Sequence, residues 1–249
     1  MTSNEKNNKS ESVIKRPRVG RSLINILGHD ICTGVFPECL PMPNESELCE
    51  RYNVSRTVIR ESLNVVESKG LVSRKSRSGT KVNPQSDWCI LDEKVIEWLG
   101  PLIHETNILK SVLEARCVIE PIAARMAAER ASLQQIADLE NSLKAMSQAK
   151  NNLRQFNEAD LNFHYIILSA SQNRVFQQLA SSFQAAIRCE IEATSLVTES
   201  FDEAITLHAT LVESLRVRNG DMAHTAMLQI LELAARDLAI VSRSEKENH

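Results

Sequence analysis

Three residues in the C-terminal half of the chain could hold a metal ion. Asp160 and His164 lie four positions apart in FNEADLNFHYIILSASQN, so both project from one face of a predicted helix. His208, in EAITLHATLVESL, is a third candidate ligand on another helix. A carboxylate and imidazoles are ordinary ligands of zinc and similar cations. A hydrogen-bonded salt bridge between Asp160 and His164 is the other interpretation, and the spacing alone leaves both open.

A second group of residues, near the N terminus, has the chemistry needed to recognise duplex DNA. Arg56 and Thr57 occupy the first turn of a predicted helix, and Arg60 lies one turn later on the same face. Arginine can bridge O6 and N7 of guanine, and threonine can contact a thymine methyl group or a phosphate. Ser55 is the predicted cap of this helix, whose free backbone N–H groups could bind a phosphate.

The segment that follows this helix is also basic. The run LVSRKSRSGTKVN alternates apolar and polar residues on both sides of a Ser-Gly turn, which predicts a β-hairpin. Gly79 would let the hairpin tip approach a sugar-phosphate backbone, because glycine has no Cβ. A solvated cationic face without a specific ligand is the alternative. The basic residues of the hairpin are Arg74, Lys75, Arg77 and Lys81.

Two regions must position these residues, and together they predict a mainly α protein. Residues 16–84 are predicted to form a winged helix-turn-helix, with three helices followed by the hairpin. Asn44 or Ser46 can cap the second helix, and Gly70 ends the third. Residues 105–242 have the apolar spacing of about five or six helices without strand-like alternation, which predicts an all-α helical bundle.

The remaining segments are predicted to be less regular. Residues 1–15 are polar and lack periodicity, so we expect a disordered tail, and residues 243–249 form a second tail. Residues 85–104 are predicted to be a linker with one short helix. Residues 1–84 carry a formal charge of +5 and residues 85–249 carry −8. A basic end on an acidic protein is expected if only that end meets a polyanion.

Composition excludes several classes of protein. No run of about 18 apolar residues is present, so we expect no membrane span and no membrane partner. The first residues lack the apolar segment of a secretory signal. The six cysteines form no CxxC pair and no compact disulfide framework. These observations predict a protein of the reducing cytoplasm.

The N-terminal motifs resemble a known family of regulators. The run MPNESELCERYNVSRTVIRESLNVVESKGLVSRKSRSGTKV resembles the DNA-binding domain of GntR-type bacterial transcription regulators, whose pattern includes LPSE-x-EL, VSR-x-x-VREAL and G-x-x-V. The resemblance implies contacts to DNA by Glu47 and Arg51, by the arginines of the third helix, and by the hairpin tip. The candidate DNA-binding residues are Glu47, Arg51, Ser55, Arg56, Thr57, Arg60, Lys75, Arg77 and Gly79.

Residues 106–242 resemble the ligand-binding FCD domain of the FadR subfamily. Its successive motifs R-x-x-x-E, FN-x-x-D-x-x-FH, S-x-N and H-x-x-[IL] all occur in order. Many members bind a divalent metal through one Asp and three His, and the metal helps to hold a carboxylate effector. The resemblance therefore implies one divalent metal, zinc or similar, on the three candidate ligands. Ile230 stands where the fourth ligand of the family, a histidine, would fall.

The same resemblance implies which residues bind the effector. Arg116 would supply a planar donor fork for a carboxylate, and Asn173 of the S-x-N motif would also contact the effector. A surface salt bridge between Arg116 and Glu120 is the alternative. The segment SDWCILDEKVIEWL and the missing fourth histidine are most similar to the galactonate operon repressor branch, which implies a sugar-acid effector.

These inferences predict a transcriptional repressor rather than an enzyme. One winged helix contacts too few base pairs for specificity, so we expect a homodimer on a palindromic double-stranded DNA operator. A small carboxylate or sugar-acid effector would release it. One alternative is a metal-dependent hydrolase, although no HExxH motif supplies a general base. The other is an architectural DNA-binding protein without an effector.

Overall fold

The chain divides after Trp88 into two compact units. The computed structural model describes residues 18–75, 79–103, 107–198 and 200–247. Within these ranges it contains helices and one antiparallel strand pair, which confirms the mainly α fold. None of the described helices is long and apolar enough to cross a bilayer. The predicted tail 1–15 and the candidate residue Arg77 lie outside the described residues. The predicted tail 243–249 is wrong for residues 243–247, because the last helix continues to Glu247.

The first unit is the predicted winged helix-turn-helix. Helix α3 packs against both α1 and α2, and the buried core includes Leu27, Leu48 and Leu63. In the hairpin, Val72 pairs with Val82, next to the helices. The elements are α1 (Arg18–Cys32), α2 (Glu45–Tyr52), α3 (Arg56–Ser68), β1 (Val72–Lys75), β2 (Gly79–Val82) and a 3-10 turn (Gln85–Asp87).

The start of α2 is fixed by Asn44. Its Oδ1 accepts hydrogen bonds from the backbone N–H groups of Ser46 and Glu47, and Oε2 of Glu47 accepts from the backbone N–H of Asn44 at 2.8 Å. This capping box shows which of the two predicted residues caps the helix. Ser55 stands at the capping position of α3, but its side chain makes no capping hydrogen bond. Backbone donors at the start of α3 are therefore left without that hydroxyl.

A close backbone contact ends α3. Gly70 has φ +77°, and a Cβ at this position would lie 2.2 Å from the carbonyl oxygen of Asp87. The side-chain amide of Asn83 donates to the carbonyl of Gly70 at 2.8 Å. Glycine is therefore required both by the left-handed conformation and by the approach of the 3-10 turn.

The second unit is an all-α bundle, as predicted. Helix α7 packs between α6 and α8, while α10 packs against α5 and α9. Helix α4 falls in the segment predicted as a linker; its Trp98 is buried and the helix contacts α8. The helices are α4 (Glu93–Leu99), α5 (Ile108–Arg130), α6 (Leu133–Gln148), α7 (Leu153–Ala170), α8 (Arg174–Ser195), α9 (Asp202–Arg216) and α10 (Gly220–Glu247), with a 3-10 turn (Gly100–Ile103) after α4.

We expect Gly70→Ala to destabilise the first unit more than Gly34→Ala does. Gly34 also has a positive φ, +79°, but a Cβ there would meet nothing within 4 Å. The control variant should therefore lower the free energy of unfolding by about 1–2 kcal/mol, the strain of a left-handed alanine. The Gly70 variant should lower it by about 3–4 kcal/mol, because the overlap with Asp87 must also be relieved. Calorimetric unfolding of both variants measures this difference, and equal transition temperatures would contradict it.

Candidate functional site

The exposed face of α3 carries the residues predicted to contact DNA. Arg56, Thr57 and Arg60 are all exposed, with 63% of the Arg60 side chain accessible. Nε of Arg60 donates to Oε2 of Glu45 at 2.8 Å, and Nη2 of Arg56 donates to Oγ of Ser46 at 3.1 Å. Both guanidinium groups are thus held by the first turn of α2. Sequence reasoning missed this role of Glu45 and Ser46.

Arg74 forms an ion pair within the first unit, unlike its exposed neighbour Lys75. Its Nε donates to Oε2 of Glu67 at 2.8 Å, its backbone N–H donates to Oε1 of the same carboxylate at 3.2 Å, and Nη2 donates to Asn64. The hydrogen bond from Arg74 lowers the pKa of Glu67. Arg74 therefore joins strand β1 to helix α3, whereas the neighbouring Lys75 is exposed.

Glu47, Arg51 and Gly79, which are also candidate DNA-binding residues, lie outside α3. Glu47 belongs to the capping box of α2. The guanidinium of Arg51 is exposed and lies 4.8 Å from the ring centre of Phe36, a cation–π contact. Gly79 opens β2 with φ +77°, and a Cβ at this position would meet no described atom within 4 Å. A concave surface joins the hairpin to the helices and is lined by Asn44, Glu45, Glu67, Arg74, Lys75, Gly79 and Thr80.

In the second unit, the three predicted metal ligands lie together. Their ligand atoms are all within 4.8 Å of one another. Oδ1 of Asp160 lies 3.0 Å from Nε2 of His208 and 3.6 Å from Nε2 of His164. Both imidazoles are buried. Helix α7 therefore supplies two candidate ligands, as the four-residue spacing predicts, and α9 supplies the third.

An oxygen atom close to Nδ1 orients each of the two imidazoles. Nδ1 of His208 lies 2.7 Å from the carbonyl oxygen of Ala204, and Nδ1 of His164 lies 2.7 Å from Oε2 of Glu120. With a cation bound, a proton on each Nδ1 would be donated to these oxygens, and the lone pair of each Nε2 atom would be available to the cation beside Asp160. Two nitrogen lone pairs and a carboxylate oxygen around one point form a ligand set that fits a divalent cation.

The ionisable groups around the three candidate metal ligands strongly change one another's pKa. Against the opposing effect of burial, the two imidazoles hold the pKa of Asp160 below its usual range. Burial also opposes the charged form of His164, but the carboxylate of Glu120 raises the pKa of this imidazole to about 9. Without a cation, a second proton on His164 would satisfy Asp160. A cation and this proton thus compete for one nitrogen.

Arg116 is buried, so the alternative of a surface salt bridge is wrong. Its Nε donates to Oε1 of Glu120 at 2.7 Å, and Nη1 donates to Oε2 of Glu190 on α8. Although burial opposes ionisation, Arg116 lowers the pKa of Glu120 to about 2. Sequence reasoning missed Glu190. It shares a helix face with the buried Ile187 and Ile191, and this spacing was the available signal.

A cavity of about 60 Å³ adjoins the cluster. Ile230 of α10 lines it, and this is the residue at which the family resemblance implies a fourth ligand. Asn173 is not among the described lining residues, since its Oδ1 caps α8 by accepting from the backbone N–H of Val175 at 2.9 Å. The lining residues include Arg116, Phe156, Asn157, Asp160, His164, Glu190, Thr194, Ser195, Thr198, Phe201, His208, Ile230 and Asp237.

Comparison with known proteins identifies the family. The family described as bacterial regulatory proteins, gntR family, matches residues 21–82, and the FCD domain matches residues 111–233. The galactonate operon transcriptional repressor of Escherichia coli K12 is 31% identical over 217 residues, which are 87% of this chain and 95% of that protein. The chain belongs to the GntR family. The prediction of a transcription regulator that is not an enzyme is confirmed.

Two other regulators are similar over most of their length. The Uxu operon regulator of Haemophilus influenzae is 26% identical, covering 89% of this chain and 82% of that protein. The transcriptional repressor NanR of Cronobacter sakazakii is 27% identical, covering 77% of this chain and 74% of that protein. A solved structure of Lar, described as controlling expression of the Listeria monocytogenes agr system, has the same fold. Its TM-score is 0.55 at 16% identity, with 94% of this chain and 100% of that chain covered.

We expect Glu67→Gln to weaken DNA binding. Simple electrostatics predicts the opposite, because the change removes a negative charge close to a polyanion. If the Glu67–Arg74 pair positions the hairpin against α3, its loss should lower affinity roughly threefold to tenfold without changing the salt dependence. Fluorescence anisotropy with an operator fragment measures both quantities. Glu61→Gln, an exposed acid on the same helix, is the control, and Glu67→Gln binding as tightly as this control would contradict the prediction.

Proposed function

We propose that this regulator is a homodimeric repressor that leaves its operator when a small carboxylate binds in the helical unit. The observation that carries the proposal is the exposed face of α3, where Arg56, Thr57 and Arg60 lie together beside a basic hairpin. The names of the relatives support repression, since two are called repressors. Galactonate and Uxu operons in those names support a sugar-acid effector.

The ion pair at Arg60 supports direct base recognition. Glu45 accepts its hydrogen bond from Nε, which leaves the N–H groups at the end of the guanidinium for another partner. Those nitrogens are the fork that bridges O6 and N7 of guanine in the major groove. A carboxylate on the DNA-binding surface then helps binding, because it orients the arginine that contacts the base. Lys75 and the start of α3 supply contacts to phosphates.

The ligand set on α7 and α9 supports a divalent cation. Asp160, His164 and His208 would hold it, and zinc or a similar metal suits two imidazoles and a carboxylate. A bound cation would supply open coordination positions for the carboxylate and adjacent hydroxyl of an effector. Glu120 and the carbonyl of Ala204 hold the two imidazoles in the orientation that this role needs.

Binding to a palindromic operator requires a dimer, and release from the operator requires that the effector site be coupled to the DNA-binding site. Two half-sites of a palindrome require two winged helices, which a homodimer provides. DNA and effector bind different units of the chain, so release requires a free-energy coupling between the two sites. The effector acts by binding more tightly to the arrangement of the dimer that does not fit the operator.

Replacing Arg60 by alanine tests base recognition. We expect the loss of about 1–3 kcal/mol of operator affinity and a relaxed base preference at one position, because a bidentate contact is removed. Arg60→Lys, which keeps the charge, should recover non-specific affinity but not the preference. Anisotropy titrations with operator variants and with scrambled DNA separate the two effects. An unchanged preference in Arg60→Ala would exclude this residue from base recognition.

Metal analysis of the purified full chain tests the cation site. We expect about one equivalent of a divalent metal in the wild type and a loss of most of it in Asp160→Ala, since one of three ligands is removed. Glu158→Ala changes an exposed acid on the same helix, one that pairs with Arg188, and should keep its metal. Equal metal content in both variants, measured by plasma mass spectrometry, would reject the site.

A further inference from the structure

We infer that the helical unit binds its effector through the effector's hydroxyl groups, which donate to Asn157 and Glu190, and that it discriminates against a second carboxylate. This inference rests on the proposed function, because it concerns the effector of the same cavity. It goes further by naming the two residues that select a polyhydroxylated monocarboxylate and by excluding a ligand with a second carboxylate.

The first hydroxyl acceptor is the side-chain amide of Asn157. Its Nδ2 donates to Oγ of Ser195 at 2.9 Å, while Oγ of Ser195 donates to the carbonyl of Ile191 at 2.7 Å. Because the serine hydroxyl proton is already used, Ser195 can only accept from Asn157, which fixes the orientation of the amide. Oδ1 of Asn157 is buried and has no hydrogen-bond partner among the described residues. This oxygen belongs to a residue that lines the cavity.

The second acceptor is the carboxylate of Glu190. The side chain is fully buried, and Oε2 accepts from Arg116. Oε1 is buried without a hydrogen-bond partner among the described residues, and Glu190 lines the same cavity as Asn157. Burial raises the pKa of Glu190, as expected for a carboxylate whose second oxygen lacks a donor. Helices α7 and α8 therefore each carry one buried, unsatisfied oxygen on a side chain that lines the same cavity.

The hydroxyl groups of the cavity wall do not satisfy these oxygens. Thr194 donates to the backbone carbonyls of Glu190 and Ile191, both at 3.1 Å. Thr198 donates to Oδ2 of Asp237 at 2.9 Å. With these protons in use, the wall offers acceptors to a ligand, and the ligand must bring the donors.

Arg116 does not provide a free site for a carboxylate. Its Nε and Nη2 are directed to Glu120, and its Nη1 is directed to Glu190. Among the lining residues, Asp160, Glu190 and Asp237 are acids, and the cationic groups of Arg116 and His164 are already paired with carboxylates. A second carboxylate on the ligand would therefore meet like charge without an unoccupied cationic partner. The family resemblance implies that Arg116 binds the effector's carboxylate, but these ion pairs point to the cation site instead.

The ligand that fits this wall carries one carboxylate and several hydroxyl groups. The carboxylate and the adjacent hydroxyl bind at the cation site. Because the cavity is only about 60 Å³ without a ligand, its wall must move outward before hydroxyls farther along the carbon chain can donate to Asn157 and Glu190. A ligand without those hydroxyls leaves two buried oxygens unpaired, and a site built around hydrogen bonds rejects such analogues strongly. A sugar acid has this structure. A simple 2-hydroxy acid has too few donors, and a sugar diacid has one carboxylate too many.

Calorimetric titration of the metal-loaded full chain with three probes tests the inference. The probes are galactonate, glycolate, which lacks the distal hydroxyls, and galactarate, which carries a second carboxylate on a chain of equal length. We expect galactonate to bind at least about tenfold more tightly than either of the others. Equal affinity for galactonate and glycolate would overturn the role of the hydroxyls. No galactonate binding by a protein that still holds metal and operator DNA would overturn the inference and leave the DNA-binding proposal standing.

Two variants assign the selectivity to its residues. Asn157→Ala should weaken galactonate binding roughly threefold to tenfold and leave glycolate binding within about twofold, because glycolate does not reach this oxygen. Asn162→Ala is the control, since Asn162 lies on the same helix and its side-chain amide donates to Ser142 at 2.8 Å.

Glu190→Gln keeps the shape of the side chain but removes its charge, so it should reduce the ratio of galactonate affinity to galactarate affinity. Thermal melts by circular dichroism verify that each variant folds. If both variants lost the same factor of affinity for all three probes, selection by these residues would be contradicted.

Discussion

The buried guanidinium of Arg116 is the interaction on which the helical unit depends. It brings together Glu120 from its own helix and Glu190 from α8, and Glu120 in turn holds His164 on α7. Three helices therefore share one network of charges with almost no access to water. Removing any one member would leave a buried charge uncompensated, which is far more costly than losing a surface pair. The position of the candidate metal ligands depends on this network as much as on the helices that carry them.

Local patterns predicted the fold well, because helices and hairpins leave signals within a few residues of themselves. The spacing of Leu63 and Val66 on α3, the alternation in the strands that contain Val72 and Val82, and the four-residue interval between Asp160 and His164 all describe single elements. The choice between Asn44 and Ser46 as the cap of α2 could not be made from sequence. Both have suitable side chains, and the choice depends on backbone geometry, which only the structure shows.

The interactions that were missed join residues far apart in the chain. Arg116 and Glu120 look like an ordinary surface pair, and nothing near them in sequence reveals that Glu190 closes the network from 74 residues away. Arg74 likewise looks like one more positive charge of the hairpin, although Glu67 accepts three hydrogen bonds from it. Asn173 belongs to a motif of the family, yet its side chain caps a helix. Family motifs place residues in order, but the packing decides which of them line a cavity.

The contact between Gly70 and Asp87 has a mechanical meaning for a protein built from two units. The chain leaves the first unit at Trp88, whose indole donates to the carbonyl of Asn83. Asn83 is bonded to Gly70, so the exit of the chain is fastened to the residue that ends α3. The exit of the chain from the first unit is therefore fixed beside the end of α3, while the candidate DNA-binding residues Arg56 and Thr57 lie at its start. At Gly70 a hydrogen atom in place of a side chain leaves room for the carbonyl of Asp87.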